Sequence, residues 1–168
     1  GLLPDMASAQ EKGARPNGPG TSKANNQVSE TYGSWQLTCG VINMKRVCVI
    51  GQPLTLEGTS QDASIELTPV NASRVQAVIT LPFSIDIANG VKIAVDQGTP
   101  VTSLSIQGCS EYGCHAAAVI EQDLLQKLRM GTELRLIATS ADNKKAVAFR
   151  ADLNGFAAAG DRALTLSK

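Results

Sequence analysis

Four cysteines and a single histidine are the residues of this chain whose types and spacing could do chemistry, and they fall in two short stretches. Cys39 and Cys48 form a C-x8-C pair, while Cys109 and Cys114 form a C-x4-C pair followed directly by His115. Three chemistries compete for such a set. Disulfides need cysteines that loops can bring together in pairs, a zinc site needs four Cys or His ligands, and a nucleophilic thiol needs a base within hydrogen-bond reach. Both spacings sit at or beyond the edge of the usual C-x2-4-C zinc hooks. C-x4-C also lacks the C-x-x-C form of a thiol oxidoreductase. On a strand, adjacent side chains point to opposite faces, which turns His115 away from the Cys114 sulfur. Disulfides in an exported protein remain, and locality pairs Cys39 with Cys48 and Cys109 with Cys114, one of three connectivities that four cysteines allow.

The elements around the pairs support this. Residues 34–39 and 46–51 alternate large apolar and polar side chains, so the first pair is expected on neighbouring strands of a hairpin with a loop over 40–45. Each short bridge would contribute about 2–3 kcal/mol by chain entropy. Trp35, the sole tryptophan, reads as core packing. Residues 63–69 and 74–81 read as strands, the second stopped by Pro82. Residues 83–87 and 91–95 alternate around Asn89-Gly90, a strong hairpin signal, and are expected to pair. Residues 101–107 lead as a strand into the second cysteine loop, and 116–120 finish one after it. Apolar residues at 124, 125 and 128, acids before them and bases after them specify a short helix near 121–130, stopped by Gly131. Residues 132–139 and 145–153 form a closing hairpin, and the alanine-rich 155–164 a helical turn. The fold class is mainly β: an antiparallel β-sandwich or open barrel with these two helical pieces.

With 168 residues, 43% of them hydrophobic and 18% charged, the chain can bury one core. Fifteen Lys+Arg balance fifteen Asp+Glu, and no basic cluster stands on one face. The counterion release that drives nucleic-acid binding has no source, so no nucleic-acid partner is expected. No apolar run approaches the roughly 20 residues that span a bilayer, and no transmembrane segment is expected. Ala7-Ser8-Ala9 fits the small-x-small rule of signal-peptide cleavage, making residues 1–9 a signal-peptide remnant and Gln10 the mature start. Residues 10–30 hold almost nothing to bury and read as a flexible arm, with order beginning at Tyr32. Residues 31–168 are then a single disulfide-braced β domain. Asn71-Ala72-Ser73 matches a glycosylation sequon, a pattern of low specificity.

An ordered set of short motifs carries a resemblance. Tyr32-Gly33-Ser34-Trp35 with Cys39, Val47-Cys48-Val49, Leu81-Pro82-Phe83 with Gly90-Val91, Val95-Asp96, Cys109 with Gly113-Cys114-His115-Ala116, and Leu153-Asn154-Gly155-Phe156 follow one another in this order. In this the stretch 32–164 resembles the invasion-associated locus B family of exported bacterial proteins. It departs where Ser34 stands for an expected Asp before the tryptophan, and where Ser84 stands for an expected Gly. The resemblance implies an envelope or surface-associated factor assisting bacterial entry into host cells, red cells included. It implies no known catalytic residues.

The residues themselves contain no Gly-rich phosphate loop, no His-Glu-x-x-His and no Gly-x-Ser-x-Gly. We therefore assign no catalytic residue, no metal ligand and no cofactor. The expected function is that of a non-enzymatic module in the periplasm or on the outer surface of a Gram-negative bacterium, its partner a host-cell surface or bacterial envelope protein. The candidate contact surface is the second cysteine loop, with Glu111 and Tyr112 on it and His115 just outside, because a braced loop loses less entropy on binding. The alternative is a small-ligand or glycan-binding β-sandwich, or a hydrolase built on one. A deep concave site with convergent polar groups would mark that alternative.

Overall fold

The alternation that marks β2 (Trp35–Ile42) buries Trp35, Leu37 and Cys39 and exposes Gln36 and Thr38, as a strand with one dry face must. The computed structural model describes residues 27–168. It places β1 (Val28–Tyr32) before β2, then β3 (Lys45–Leu56), β4 (Thr59–Asn71), β5 (Arg74–Leu81), β6 (Val91–Val95), β7 (Thr102–Leu104), β8 (Ile106–Ser110) and β9 (Gly113–Ile120). Helix α1 (Gln122–Met130), the hairpin of β10 (Glu133–Thr139) with β11 (Ala146–Asp152), and helix α2 (Phe156–Leu166) complete the chain. All strands among the described residues belong to one 11-stranded sheet, in the order β7-β6-β10-β11-β3-β4-β5-β9-β8 with β1 and β2 attached through β3.

Two features curl this sheet into a nearly closed barrel. The first is β3, which pairs with β2 through residues 45–51 and then with β11 through Thr55 and Leu56. The exchange falls at an irregularity between Pro53 and Thr55, where a residue with no N–H to donate fits a break in the ladder. The second is the run from Thr102 to Ser110. Its first part pairs with β6 and its second with β9, so only Ser105 separates contacts to the two ends of the sheet. The expected single strand over 101–107 is therefore two.

The core is filled by Trp35, Leu37, Ile50, Leu54, Ile65, Leu67, Ile79, Leu134 and Phe149 among others. Helix α2 lies against β1 to β4, burying Phe156, Ala159 and Ala163. Its Phe156 ring meets Trp35 edge-on at 5.5 Å. Helix α1 buries Leu124, Leu125 and Leu128, which is the expected apolar stripe. Arg129 on α1 pairs with Asp161 on α2 at 2.9 Å; being exposed, this pair adds little to stability.

Two turns interlock at the start of α2. Gly33 (φ 57°) and Gly155 (φ 86°) both occupy left-handed backbone. A Cβ on Gly33 would meet the Asn154 carbonyl, and one on Gly155 would meet the Tyr32 carbonyl. Ser34 N–H donates to the Asn154 carbonyl at 3.1 Å across the same contact. The turn before Trp35 and the turn before Phe156 thus seat the two stacked rings. Elsewhere Asp96 (φ 54°) accepts from the backbone N–H groups of Thr132 and Glu133 at 3.0 and 2.9 Å, holding the start of β10 against β6.

Two further expectations are corrected. Residues 28–31, ahead of the expected onset of order at Tyr32, already belong to β1, with Val28 buried opposite Cys39. The alternation was hidden because Glu30 occupies an inward position between Val28 and Tyr32. Its carboxylate accepts from Arg162 Nε and Nη2 on α2 at 3.0 and 3.1 Å, and from the Tyr32 hydroxyl at 2.7 Å. The remainder of the arm up to residue 26, and the expected signal-peptide remnant 1–9, lie outside the described residues. The second correction concerns residues 83–87, which do not pair with 91–95. Only Ile85 makes a bridge, to Ser140, and Ile87–Asn89 is a 3-10 turn. Asp86 accepts from Ala88 N–H and the Asn89 amide, both at 3.0 Å, and from Lys144 at 2.9 Å. A local side-chain cap competes here with the ladder and wins, and β6 pairs with β10 and β7 instead.

Gly155→Ala is expected to destabilise the fold by about 2–4 kcal/mol, since it forces a side chain into left-handed backbone and into a carbonyl; urea unfolding measures it. Hydrogen bonds from Arg162, outweighing burial, and from Tyr32 hold the Glu30 carboxyl below its ordinary value of 4.5. Its contribution to stability is complete above the unfolded-state value and is lost as pH falls through the lowered folded value. Glu30→Gln should therefore lower the melting temperature at neutral pH and shrink the difference from wild type in acid, as read by thermal melts over that range.

Candidate functional site

The register places the two cysteine pairs directly opposite one another on adjacent strands, Cys39 with Cys48 and Cys109 with Cys114, and both pairs are bonded. They lie at opposite ends of the barrel. One row runs through Ile50, Leu67, Ala77 and Ala118. Cys48 lies to one side of that row along β3. Cys114, opposite Leu81, lies to the other side.

At the β8–β9 end the bridge closes a tight tip. Ser110 pairs with Gly113, Glu111 is exposed, and Tyr112 is 74% exposed. Ser110 Oγ accepts from Tyr112 N–H at 3.1 Å and so orders the tip from inside. Gly113 lies against the Leu81 carbonyl, where a Cβ would approach to 2.5 Å, which seats the tip on the end of β5.

His115 has a different place from Glu111 and Tyr112. It is partly buried on β9, with Nε2 2.9 Å from Ser110 Oγ and Nδ1 3.1 Å from Thr80 Oγ1. Both ring nitrogens are engaged, so the imidazole links β5, β9 and the tip. The Ser110–His115 distance is that of a nucleophile and its base. Behind the imidazole stands the hydroxyl of Thr80 and not a carboxylate, so this orienting group carries no charge to stabilise an imidazolium. Among the described residues no group of three or more His, Cys, Asp or Glu side chains is placed to hold a metal.

Tyr112 and Glu111 border an open groove of about 570 Å³ whose other walls include Gln61, Asp62, Thr80 and Phe83. Phe83 is 61% exposed. Hollows of similar size, about 560 and 540 Å³, lie on other faces, so volume does not distinguish this one. Its chemistry does: the exposed rings of Tyr112 and Phe83 stand beside the carboxylates of Glu111 and Asp62, with Tyr112 and Glu111 mounted on the braced turn, Asp62 on β4 and Phe83 just after β5. Phe83 and Asp62 are functional candidates that sequence reasoning missed. Phe83 was absorbed into an expected strand, although Pro82 before it was a signal that the ladder ends there. The sequon Asn71 sits on the exposed β4–β5 turn, where its side chain accepts from Ser73 N–H at 2.8 Å.

A sequence model described as invasion associated locus B (IalB) protein matches residues 35–163. The chain is 30% identical over 142 residues to an invasion protein B homolog of Brucella abortus, covering 84% of this chain and 82% of that protein. Invasion protein B of Bartonella bacilliformis is 27% identical over 117 residues, which are 68% of this chain and 61% of that one. The crystal structure of invasion associated protein b from Bartonella henselae superposes with a TM-score of 0.73 at 30% identity, covering 82% of this chain and 95% of that one.

Removing the second bridge by replacing Cys109 and Cys114 with Ala is expected to cost about 2 kcal/mol, the loop entropy of so short a ring, for a sequence separation of 5. Urea unfolding of the double variant against wild type measures this.

Proposed function

The chain belongs to the invasion associated locus B (IalB) protein family, and from that membership we propose that it is an exported, non-enzymatic interaction module assisting bacterial entry into host cells such as erythrocytes. Two disulfides support an oxidising compartment, either the periplasm or the outer surface of a Gram-negative cell, because such bridges form and persist there. Among the described residues no helix is long and apolar enough to cross a membrane. The partner is a host-cell surface or bacterial envelope protein.

One observation carries the choice of contact site: Tyr112 stands 74% exposed on a disulfide-braced tip. A large apolar ring held in water by a rigid turn is the kind of anchor that dominates protein interfaces. Phe83 enlarges the patch, and Asp62 with Glu111 favours a partner segment bearing basic groups. The same rings beside Gln61 and Asp62 suit stacking on a sugar, which is the specific ground for a glycan-binding reading. The groove's open walls favour the protein contact, since small-ligand sites bury most of their ligand.

Tyr112→Ala combined with Glu111→Ala should reduce binding of the purified protein to erythrocytes about tenfold, with the melting temperature unchanged. Undiminished association would leave the tip a structural brace. Loss of binding after enzymatic deglycosylation of the cells, with protease treatment having no effect, would transfer the groove to the glycan reading.

A further inference from the structure

The opposite end of the barrel carries a feature that the host-contact reading does not use. There the β2–β3 hairpin continues past the Cys39/Cys48 bridge to a two-residue turn at Asn43 and Met44. β1 reaches only to Val28, opposite Cys39, so among the described residues the tip of β2 has β3 as its sole strand neighbour. At that tip Val41, Ile42 and Met44 are 48%, 59% and 89% exposed. Lys45 and Arg46 follow directly, and from Gln36 to Leu56 they are the only charged side chains. At the adjoining β4–β5 turn Arg74 pairs at 3.9 Å with Glu121, the residue before α1.

The turn itself is informative. Asn43 and Met44 both have positive φ, 53° and 67°, as the twisted two-residue hairpin turn requires. The next hairpin solves the same problem with Glu57 and Gly58, at φ 52° and 80°, placing glycine where backbone strain is greatest. At the β2–β3 tip that position holds a methionine, strained and almost wholly in water. A flexible, polarisable side chain in such a place fits a surface that adapts to it.

We infer that this tip is a contact for anionic lipid bilayers, with Val41, Ile42 and Met44 entering the interface and Lys45 and Arg46 meeting headgroup phosphates. A projecting apolar wedge finds a matching pocket in few proteins, whereas the headgroup boundary accepts it without one. The adjacent cations, unopposed by any acid on the hairpin, complement a negative surface. The Cys39/Cys48 bridge at the base keeps the wedge rigid. Because the tip lies at the far end from Tyr112, the inference stands or falls separately from the host-contact reading.

The test is flotation of the full chain with mixed phosphatidylcholine and phosphatidylglycerol vesicles, and with phosphatidylcholine alone. Binding is expected to the anionic vesicles only and to weaken as salt is raised. Ile42→Ser with Met44→Gly should lower it about tenfold, and Lys45→Glu with Arg46→Glu by a similar factor. Met44→Gly alone should raise the melting temperature by relieving the left-handed strain while lowering vesicle binding, a combination that a purely structural turn does not produce. In a Met44→Trp protein the new fluorescence should shift to the blue on adding anionic vesicles. Absence of vesicle binding, or binding that survives both double variants, overturns the inference. So does protease-sensitive binding to natural membranes that the tip variants abolish while lipid vesicles do not bind, which would make the tip a protein-docking element.

Discussion

The turn between β1 and β2 and the turn before α2 share one place, and the rest of the molecule depends on that contact. Each backbone comes so close to the other that neither Gly33 nor Gly155 leaves room for a Cβ, and the contact sets Trp35 against Phe156. Helix α2 is thereby fixed on β1 to β4, and Arg162 reaches Glu30 from it. A curled sheet whose chain ends were free would have an open flank on the β1–β2 side. Here the last helix closes that flank. The indole N–H of Trp35 finds no partner in this packing, and leaving such a group unpaired costs about 1–3 kcal/mol. Tight apolar packing around the ring must outweigh that cost.

Several motifs that carry the family resemblance have structural duties of this kind. Tyr32-Gly33-Ser34-Trp35 and Leu153-Asn154-Gly155-Phe156 are the two sides of the interlocked turns. Gly113-Cys114-His115 packs on Leu81 and Thr80, while Asp96 holds the first N–H groups of β10. Ser34, which departs from the expected Asp, uses its backbone N–H for the contact with Asn154, a bond that any residue but proline could make. With these motifs occupied in building the barrel, the exposed chemistry falls on its loop tips. That division is common in β folds, where a rigid sheet positions connections that are free to vary.

The two disulfides follow the same division. Each joins directly opposed residues on adjacent strands, one at each end of the barrel. Neither ties distant parts of the chain together, so their entropic effect is modest and their local effect is to stiffen a tip. One stiffened tip presents Tyr112 and Glu111, and the other presents Ile42, Met44 and the neighbouring Lys45 and Arg46. The two proposed contacts face in opposite directions, an arrangement that would let one small domain touch two surfaces at once.

What the sequence determined by itself was whatever local periodicity encodes. The strands of the hairpins, the apolar stripe of α1, the alanine-rich α2, the mainly β class and the short-range cysteine pairing are all legible within a few residues, because side-chain direction repeats with the pitch of the backbone. Tertiary structure decided the rest. Glu30 looked like an arm residue until Arg162 arrived from the other end of the chain. Asn89-Gly90 looked like a hairpin until Asp86 capped a turn with help from Lys144. Ser105 splits one apparent strand so that the sheet can close, and His115 becomes a link between strands because Thr80 and Ser110 lie beside it. In each case the deciding partner is remote in sequence, and its arrival is set by sheet register and packing that no local pattern records.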